Sequence, residues 1–221
     1  MSTVAEMGVN RPEWLRTAGS APLPERAPRA FAAYLRLVRA TTRFDLDGLE
    51  PTLRELGGRS AIVAILHRES LLHFVAPYKV PITLLVSERG ADGMYARLAR
   101  AFGYEIVSAA SWSSLRRTLE VLAQPGAMLV VAVDGPAGPP GVVTPGLGKL
   151  ARLSGAPLVP LRCSTTRAIR LANTWDTRFV PLPGGVLTVV AGEPLELRRD
   201  APPGEVAGVV RRVGADLAAP R

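Results

Sequence analysis

Apolar positions along this chain change their period several times, and the changes divide it into elements. Phe31, Tyr34, Leu35 and Val38 fall at offsets of 0, 3, 4 and 7. That spacing marks one face of a helix over 29–44, with Arg29, Arg36, Arg39 and Arg43 on the remainder. From residue 60 onward short continuous apolar runs take over, of the kind carried by strands buried on both faces. They predict strands at 61–66, 82–86, 105–107, 128–133, 157–161 and 186–191. Helix-like stretches lie between and after them, at 68–76, 92–102, 113–123, 146–153 and 205–217. Gly103 and the Gln124-Pro125-Gly126 turn stop two of these helices. The alternation predicts an α/β fold, a mainly parallel sheet with helices on both faces. Residues 1–28 are punctuated by Pro12, Gly19, Pro22, Pro24 and Pro28 and hold no period. They read as a loose N-terminal arm on a single α/β domain over 29–221, with no internal repeat and no second domain.

The polar residues that end these runs are more informative than the runs themselves. His67 follows the strand at 61–66, and Ser87, Glu88 and Arg89 follow 82–86. Ser108 and Ser111 follow 105–107, and Asp134 and Gly135 follow 128–133. If the strands are parallel, all these clusters lie along one edge of the sheet. Open α/β sheets bind ligands outside the carboxyl ends of their strands. A histidine after a strand is often a packing residue and Asp-Gly is often only a turn, but coincident strand ends point to a site. The segment Asp134-Gly-Pro-Ala-Gly-Pro-Pro-Gly141 is glycine-rich enough for backbone N–H groups to approach a ligand closely.

Composition narrows the chemistry. The 221 residues are 48% hydrophobic and 21% charged, ordinary for a globular chain. No apolar run approaches the ~18 residues of a membrane-spanning helix, and the N-terminus lacks a signal-peptide pattern, so a cytoplasmic location is expected. One cysteine, Cys163, excludes an intrachain disulfide and a cysteine-rich zinc site, and two histidines, His67 and His73, argue against a metal centre. Cys163 reads as a small buried hydrophobe rather than a nucleophile. The formal charge is +8, and only Lys79 and Lys149 among the basic residues are lysines. Such a balance suits an anionic partner, although the abundance of Arg, Ala, Gly and Pro also fits GC-rich coding. An aromatic content of 5% argues against a stacking platform for single-stranded nucleic acid. Gly146-Leu-Gly-Lys-Leu-Ala151 has the form G-x-G-x-x-A, but Pro145 precedes it and Arg167 and Arg170 occupy the window where an acidic residue belongs. No Walker ending occurs.

Taken in order, six blocks carry a likeness: Leu66-His67, Leu85-Val-Ser-Glu-Arg-Gly-Ala-Asp-Gly93, Ser111-Trp-Ser-Ser114, Val133-Asp-Gly-Pro-Ala-Gly-Pro139, Gly155-Ala-Pro-Leu-Val-Pro160 and Asn173-Thr-Trp-Asp176. Over roughly residues 45–200 the chain resembles an uncharacterised, domain-of-unknown-function branch of the lysophospholipid acyltransferase-like superfamily, related to glycerolipid acyltransferases. The Asp-Gly-Pro-x-Gly-Pro and Ser-x(4)-Asp-Gly blocks are specific in combination. The resemblance implies an acyltransferase-like fold and transfer of a fatty acyl group from a thioester carrier, acyl-CoA or acyl carrier protein, to a hydroxyl of a lysolipid or glycolipid. No resident cofactor and no metal are expected.

In the superfamily a His-x(4)-Asp motif performs the chemistry: the histidine takes the acceptor's proton and the aspartate orients the imidazole. His67 matches the histidine, but Leu72 stands at the aspartate position. Asp134 and Asp92, at neighbouring strand ends, are the candidates to replace it, whereas Glu69 sits two residues along a helix and points elsewhere. The superfamily's acceptor-binding arginines are matched by Ala137 and by Ala109 or Ala110, with Arg68 and Arg89 as substitutes. Arg68, Ser87, Arg89, Gly93, Ser111, Ser113, Gly135 and Pro136 form the expected acceptor-binding set. The basic surface would attract an acidic acyl carrier protein or an anionic membrane surface, giving a peripheral position on the membrane's inner face; no nucleic acid is expected. The competing reading is a catalytically impaired lipid-binding module of the same fold, motivated by Leu72.

Overall fold

A computed structural model describes residues 26–86, 93–108, 112–135 and 138–219. The chain opens with helix α1 (Arg26–Thr41), which leads directly into strand β1 (Thr42–Asp45), and helix α2 (Glu50–Leu56) follows. Strand β2 (Ala61–Ile65) runs into a 3-10 turn (His67–Glu69) and helix α3 (Ser70–Val75). Then come β3 (Ile82–Val86), α4 (Met94–Ala101), β4 (Glu105–Ser108), α5 (Trp112–Leu122), β5 (Met128–Ala132) and α6 (Gly146–Ser154). The remainder is β6 (Leu158–Thr165), β7 (Ala168–Arg170), β8 (Phe179–Pro181), β9 (Gly185–Ala191) and α7 (Pro203–Ala218).

Seven strands form one sheet in the order β1-β9-β6-β2-β5-β3-β4. From β6 to β4 every neighbouring pair is parallel; β9 runs antiparallel to β6 and parallel to β1. β7 and β8 pair separately as an antiparallel hairpin. All five residues of β2 are buried, and the pleat sends them alternately to two cores. Ala61, Val63 and Ile65 join one core with Leu35 and Val38 of α1, Leu72 and Phe74 of α3 and Leu98 of α4. Ile62 and Ala64 join the other with Leu122 of α5, Leu147 and Leu150 of α6 and Val213 and Leu217 of α7. Helices therefore cover both faces, which is why the central strands read as unbroken apolar runs instead of alternating ones.

Four features depart from the sequence expectation. The helix at 29–44 starts three residues earlier and gives way at Thr42 to an edge strand. Pro28 is accepted in its first turn because the N–H groups there lack helical partners anyway. The Thr41 hydroxyl, donating to the carbonyls of Leu37 and Val38, closes the far end. The strand at 157–161 continues to Thr165, and α2 and the β7–β8 hairpin lie where no element was expected. The G-x-G-x-x-A stretch lies in α6, as the helix expected at 146–153 has it. A side chain on Gly148 would stand 2.6 Å from Val206 and 2.8 Å from Val210, so this glycine lets α6 and α7 approach closely.

Candidate active site

β2, β5, β3 and β4 all point the same way, so the chain leaves each of them at the same edge. His67 lies one residue beyond Leu66, and Asp134 two residues beyond the end of β5. Ile65 pairs with Ala132 across the ladder, which carries the two departing segments side by side. The result is a direct contact: His67 Nδ1 and Asp134 Oδ1 are 2.7 Å apart, and the His67 backbone N–H donates to the same oxygen at 3.0 Å. The other carboxylate oxygen accepts the Gly141 N–H at 3.1 Å. Gly141 has a φ of +76°, a conformation that favours glycine, and so the Gly-Pro segment folds back around the carboxylate.

The electrostatics follow from these bonds. Asp134 has a side chain only 1% exposed. Burial alone would raise its pKa, but the His67 ring, the His67 N–H and the Gly141 N–H outweigh burial and hold the carboxyl below its ordinary value. An ionised carboxylate only accepts hydrogen bonds, so His67 Nδ1 must carry the proton. The lone pair is thereby placed on Nε2, on a ring that is 22% exposed. A histidine held in this tautomer by a buried carboxylate can accept a proton at Nε2.

The imidazole opens on an apolar cavity of about 650 Å³. Its floor is one face of the sheet: Val63 and Ile65 of β2, Met128, Val130 and Ala132 of β5, and Leu84 of β3. These are alternate positions along five-residue strands, so the cavity runs roughly 13 Å from the carboxyl to the amino ends of the strands. Tyr78 and Tyr104 line it near the amino ends, and the Tyr78 hydroxyl lies 2.7 Å from His73 Nδ1. Burial pushes the Tyr78 phenol well above its ordinary range, so it is a neutral hydroxyl.

At the mouth, Ser70 Oγ donates to the His67 carbonyl at 2.6 Å and lies 3.3 Å from the Tyr95 hydroxyl. Trp175 meets the His67 ring edge-on, with centroids 5.1 Å apart, and Arg178 stacks on Tyr95 at 4.8 Å. Trp175, Arg178 and Ser70 line the cavity and were not among the residues singled out from the sequence; Trp175 figures there only inside the Asn173–Asp176 block. Of the residues that were, Arg68 turns aside beside Glu69, whose Oε2 accepts the Cys163 N–H at 2.7 Å deep in the core. Gly93 immediately precedes α4, and Gly135 adopts a left-handed φ of +68° directly after Asp134. Ser113 belongs to α5. Ser87, Arg89, Asp92, Ser111 and Pro136 lie outside the described residues. Among the described residues no group of three or more His, Cys, Asp or Glu side chains is placed to hold a metal.

This architecture is similar to that of a solved acyltransferase. The crystal structure of the 1-acyl-sn-glycerophosphate (LPA) acyltransferase PlsC from Thermotoga maritima superposes with a TM-score of 0.53, covering 88% of this chain and 80% of that one at 16% identity. The fold is therefore acyltransferase-like. In sequence, an uncharacterized protein of Rickettsia prowazekii (strain Madrid E) is 37% identical over 87 residues, a stretch that spans 39% of this chain and 39% of that protein. No family model matches the chain. No helix among the described residues is long and apolar enough to cross a membrane.

Proposed function

We propose that this protein is an acyltransferase that moves a fatty acyl group from a thioester carrier to a hydroxyl of a lysolipid or glycolipid. The observation that supports it most is the His67–Asp134 pair opening onto an apolar cavity as long as the strands beneath it. In this reading the acyl chain lies along the sheet face with its thioester at His67. Nε2 takes the proton from the acceptor hydroxyl as its oxygen attacks the thioester carbonyl. The tetrahedral intermediate collapses, the C–S bond breaks, and the imidazolium returns the proton to the departing sulfur. Asp134 holds the ring and stabilises its positive charge, replacing the aspartate whose motif position is filled by the buried Leu72. The Gly135 N–H, beside the dyad, is a candidate donor to the oxyanion. The donor is acyl-CoA or acyl carrier protein, and no further cofactor enters.

The basic surface supports an anionic partner, either an acidic carrier protein or an anionic membrane face. The apolar side of α1 is turned into the core, with Ala32, Leu35 and Val38 buried, while Arg29 of α1 and Arg43 of β1 are exposed. In this reading attraction is chiefly electrostatic, since of the large apolar side chains of α1 among the described residues Leu37 is the exposed one. Arg36 is engaged within the fold, donating to the Ala101 carbonyl and lying over Phe102.

The test is thiol release from CoA and carrier-protein thioesters, with a total lipid extract as acceptor. Release is expected from wild type and lost in His67→Ala. Lipid binding without His67-dependent turnover, for several chain lengths and both carriers, would instead identify a non-catalytic lipid-binding module.

A further inference from the structure

The loop between β7 and β8 is built more tightly than its exposed position requires. Leu171 N–H donates to the Arg178 carbonyl at 2.8 Å, closing the hairpin. Inside it the Thr174 hydroxyl donates to the Leu171 carbonyl at 2.9 Å and accepts the Arg178 N–H at 3.0 Å. Asp176 is fully buried, and its Oδ2 accepts both Nε and Nη2 of Arg178, at 2.8 and 2.6 Å. Between them Thr177 stands at a φ of +47°, left-handed backbone that a β-branched residue adopts only when its surroundings dictate it. Arg178 in turn lies on Tyr95, whose hydroxyl reaches Ser70 beneath His67. The outcome of all this bracing is the placement of one side chain, Trp175, against the His67 ring. Gly138 also fits against it, where an added Cβ would come within 3.2 Å of Trp175 Cε3.

We infer that Trp175 is a positioning residue that keeps water from competing with the acyl acceptor at His67. The inference rests on the acyltransferase reading and adds to it what decides the fate of the acyl group. The same base that activates a lipid hydroxyl activates water equally well. Attack by the acceptor forms an ester and releases the thiol; attack by water forms a free fatty acid and releases the same thiol. The two outcomes share a base and a leaving group, so selectivity has to come from what can reach Nε2. A large apolar ring against the imidazole removes volume that water would fill, and a lipid hydroxyl delivered from the cavity mouth still has a path. The surrounding bonds brace the loop that carries the ring.

The experiment measures thiol, ester and free fatty acid together, from dodecanoyl- and hexadecanoyl-CoA, with and without a total lipid extract. It uses wild type, Trp175→Ala and Trp175→Phe. Trp175→Ala is expected to keep His67-dependent thiol release while its ratio of fatty acid to ester rises on the order of tenfold. Trp175→Phe, which retains an apolar ring, should fall between. Loss of thiol release and ester in equal proportion, with the fatty-acid fraction unchanged in both variants, would overturn the inference and leave Trp175 a packing residue. Wild type without His67-dependent thiol release would overturn the acyltransferase reading, and the inference with it.

Discussion

At the scale of single residues the decisive contact is between His67 and Asp134. Replacing Asp134 with Asn keeps the shape but removes the charge, and its NH₂ can donate to Nδ1 and trap the tautomer that lacks a free Nε2 lone pair. Thiol release should fall on the order of 10²–10⁴-fold in Asp134→Asn, approaching His67→Ala in the same assay. The two together should lose little more than either alone, because they act as a unit. The carboxylate also ties stability to acidity. Its folded pKa is lowered, so the unfolded chain takes up the proton more readily. The contribution is complete above the ordinary carboxylate pKa and is lost as pH falls through the lowered folded value. Urea unfolding from roughly pH 7 to 3 should show wild type losing stability faster than Asp134→Asn, so that the gap between them narrows. The histidine, and Asp134 as one of two candidate partners, can be named from the sequence because both follow strongly apolar strands. What the sequence does not carry is which aspartate touches the ring, since that depends on β2 and β5 being neighbours in register. Trp175 leaves still less trace: it reaches His67 from 108 positions away, on a hairpin of two three-residue strands.

At the scale of elements, legibility followed burial. β2, β3 and β5 lie inside the sheet under helices, and their composition is dominated by that setting. β1 is the sheet's edge, with alternate residues exposed, and its four residues follow α1 without a break, which conceals it. Helix packing is the counterpart. The α6–α7 contact depends on Gly148, and Gly148→Ala sets two effects against each other. Alanine favours the helix by about 1 kcal/mol. The methyl group meets Val206 and Val210 at distances well inside van der Waals contact, an overpacking of about 1–3 kcal/mol. The second effect should prevail, giving a net loss of about 1 kcal/mol in denaturant unfolding. Adding Val206→Ala should recover part of it, an interaction that a double-mutant cycle will register.

At the scale of the whole molecule, the cavity and the sheet are one object. The same alternate positions that build one core also floor the cavity, so its length is set by strand length. Val130 sits midway along β5 on that floor. Val130→Trp should obstruct the far half and spare the near half. The ratio of hexanoyl- to hexadecanoyl-CoA turnover should then rise by at least about tenfold, a few methylenes' worth of lost contact. An equal loss for both chain lengths would place the acyl chain elsewhere.

A histidine and an aspartate five positions apart, as in a His-x(4)-Asp motif, are kept near each other by the short stretch of chain between them, whatever the remainder of the chain is doing. Here the partners are 67 positions apart and meet only because two parallel strands have paired. The proton-transfer geometry is thus a non-local property, inherited from the slowest kind of contact a chain makes. A slip of the β2–β5 ladder by one residue would reverse the pleat and carry the aspartate away from the imidazole. In the proposed mechanism, competence for chemistry and completion of the central sheet are therefore a single event, and a partly assembled chain holds a histidine that nothing has yet aimed.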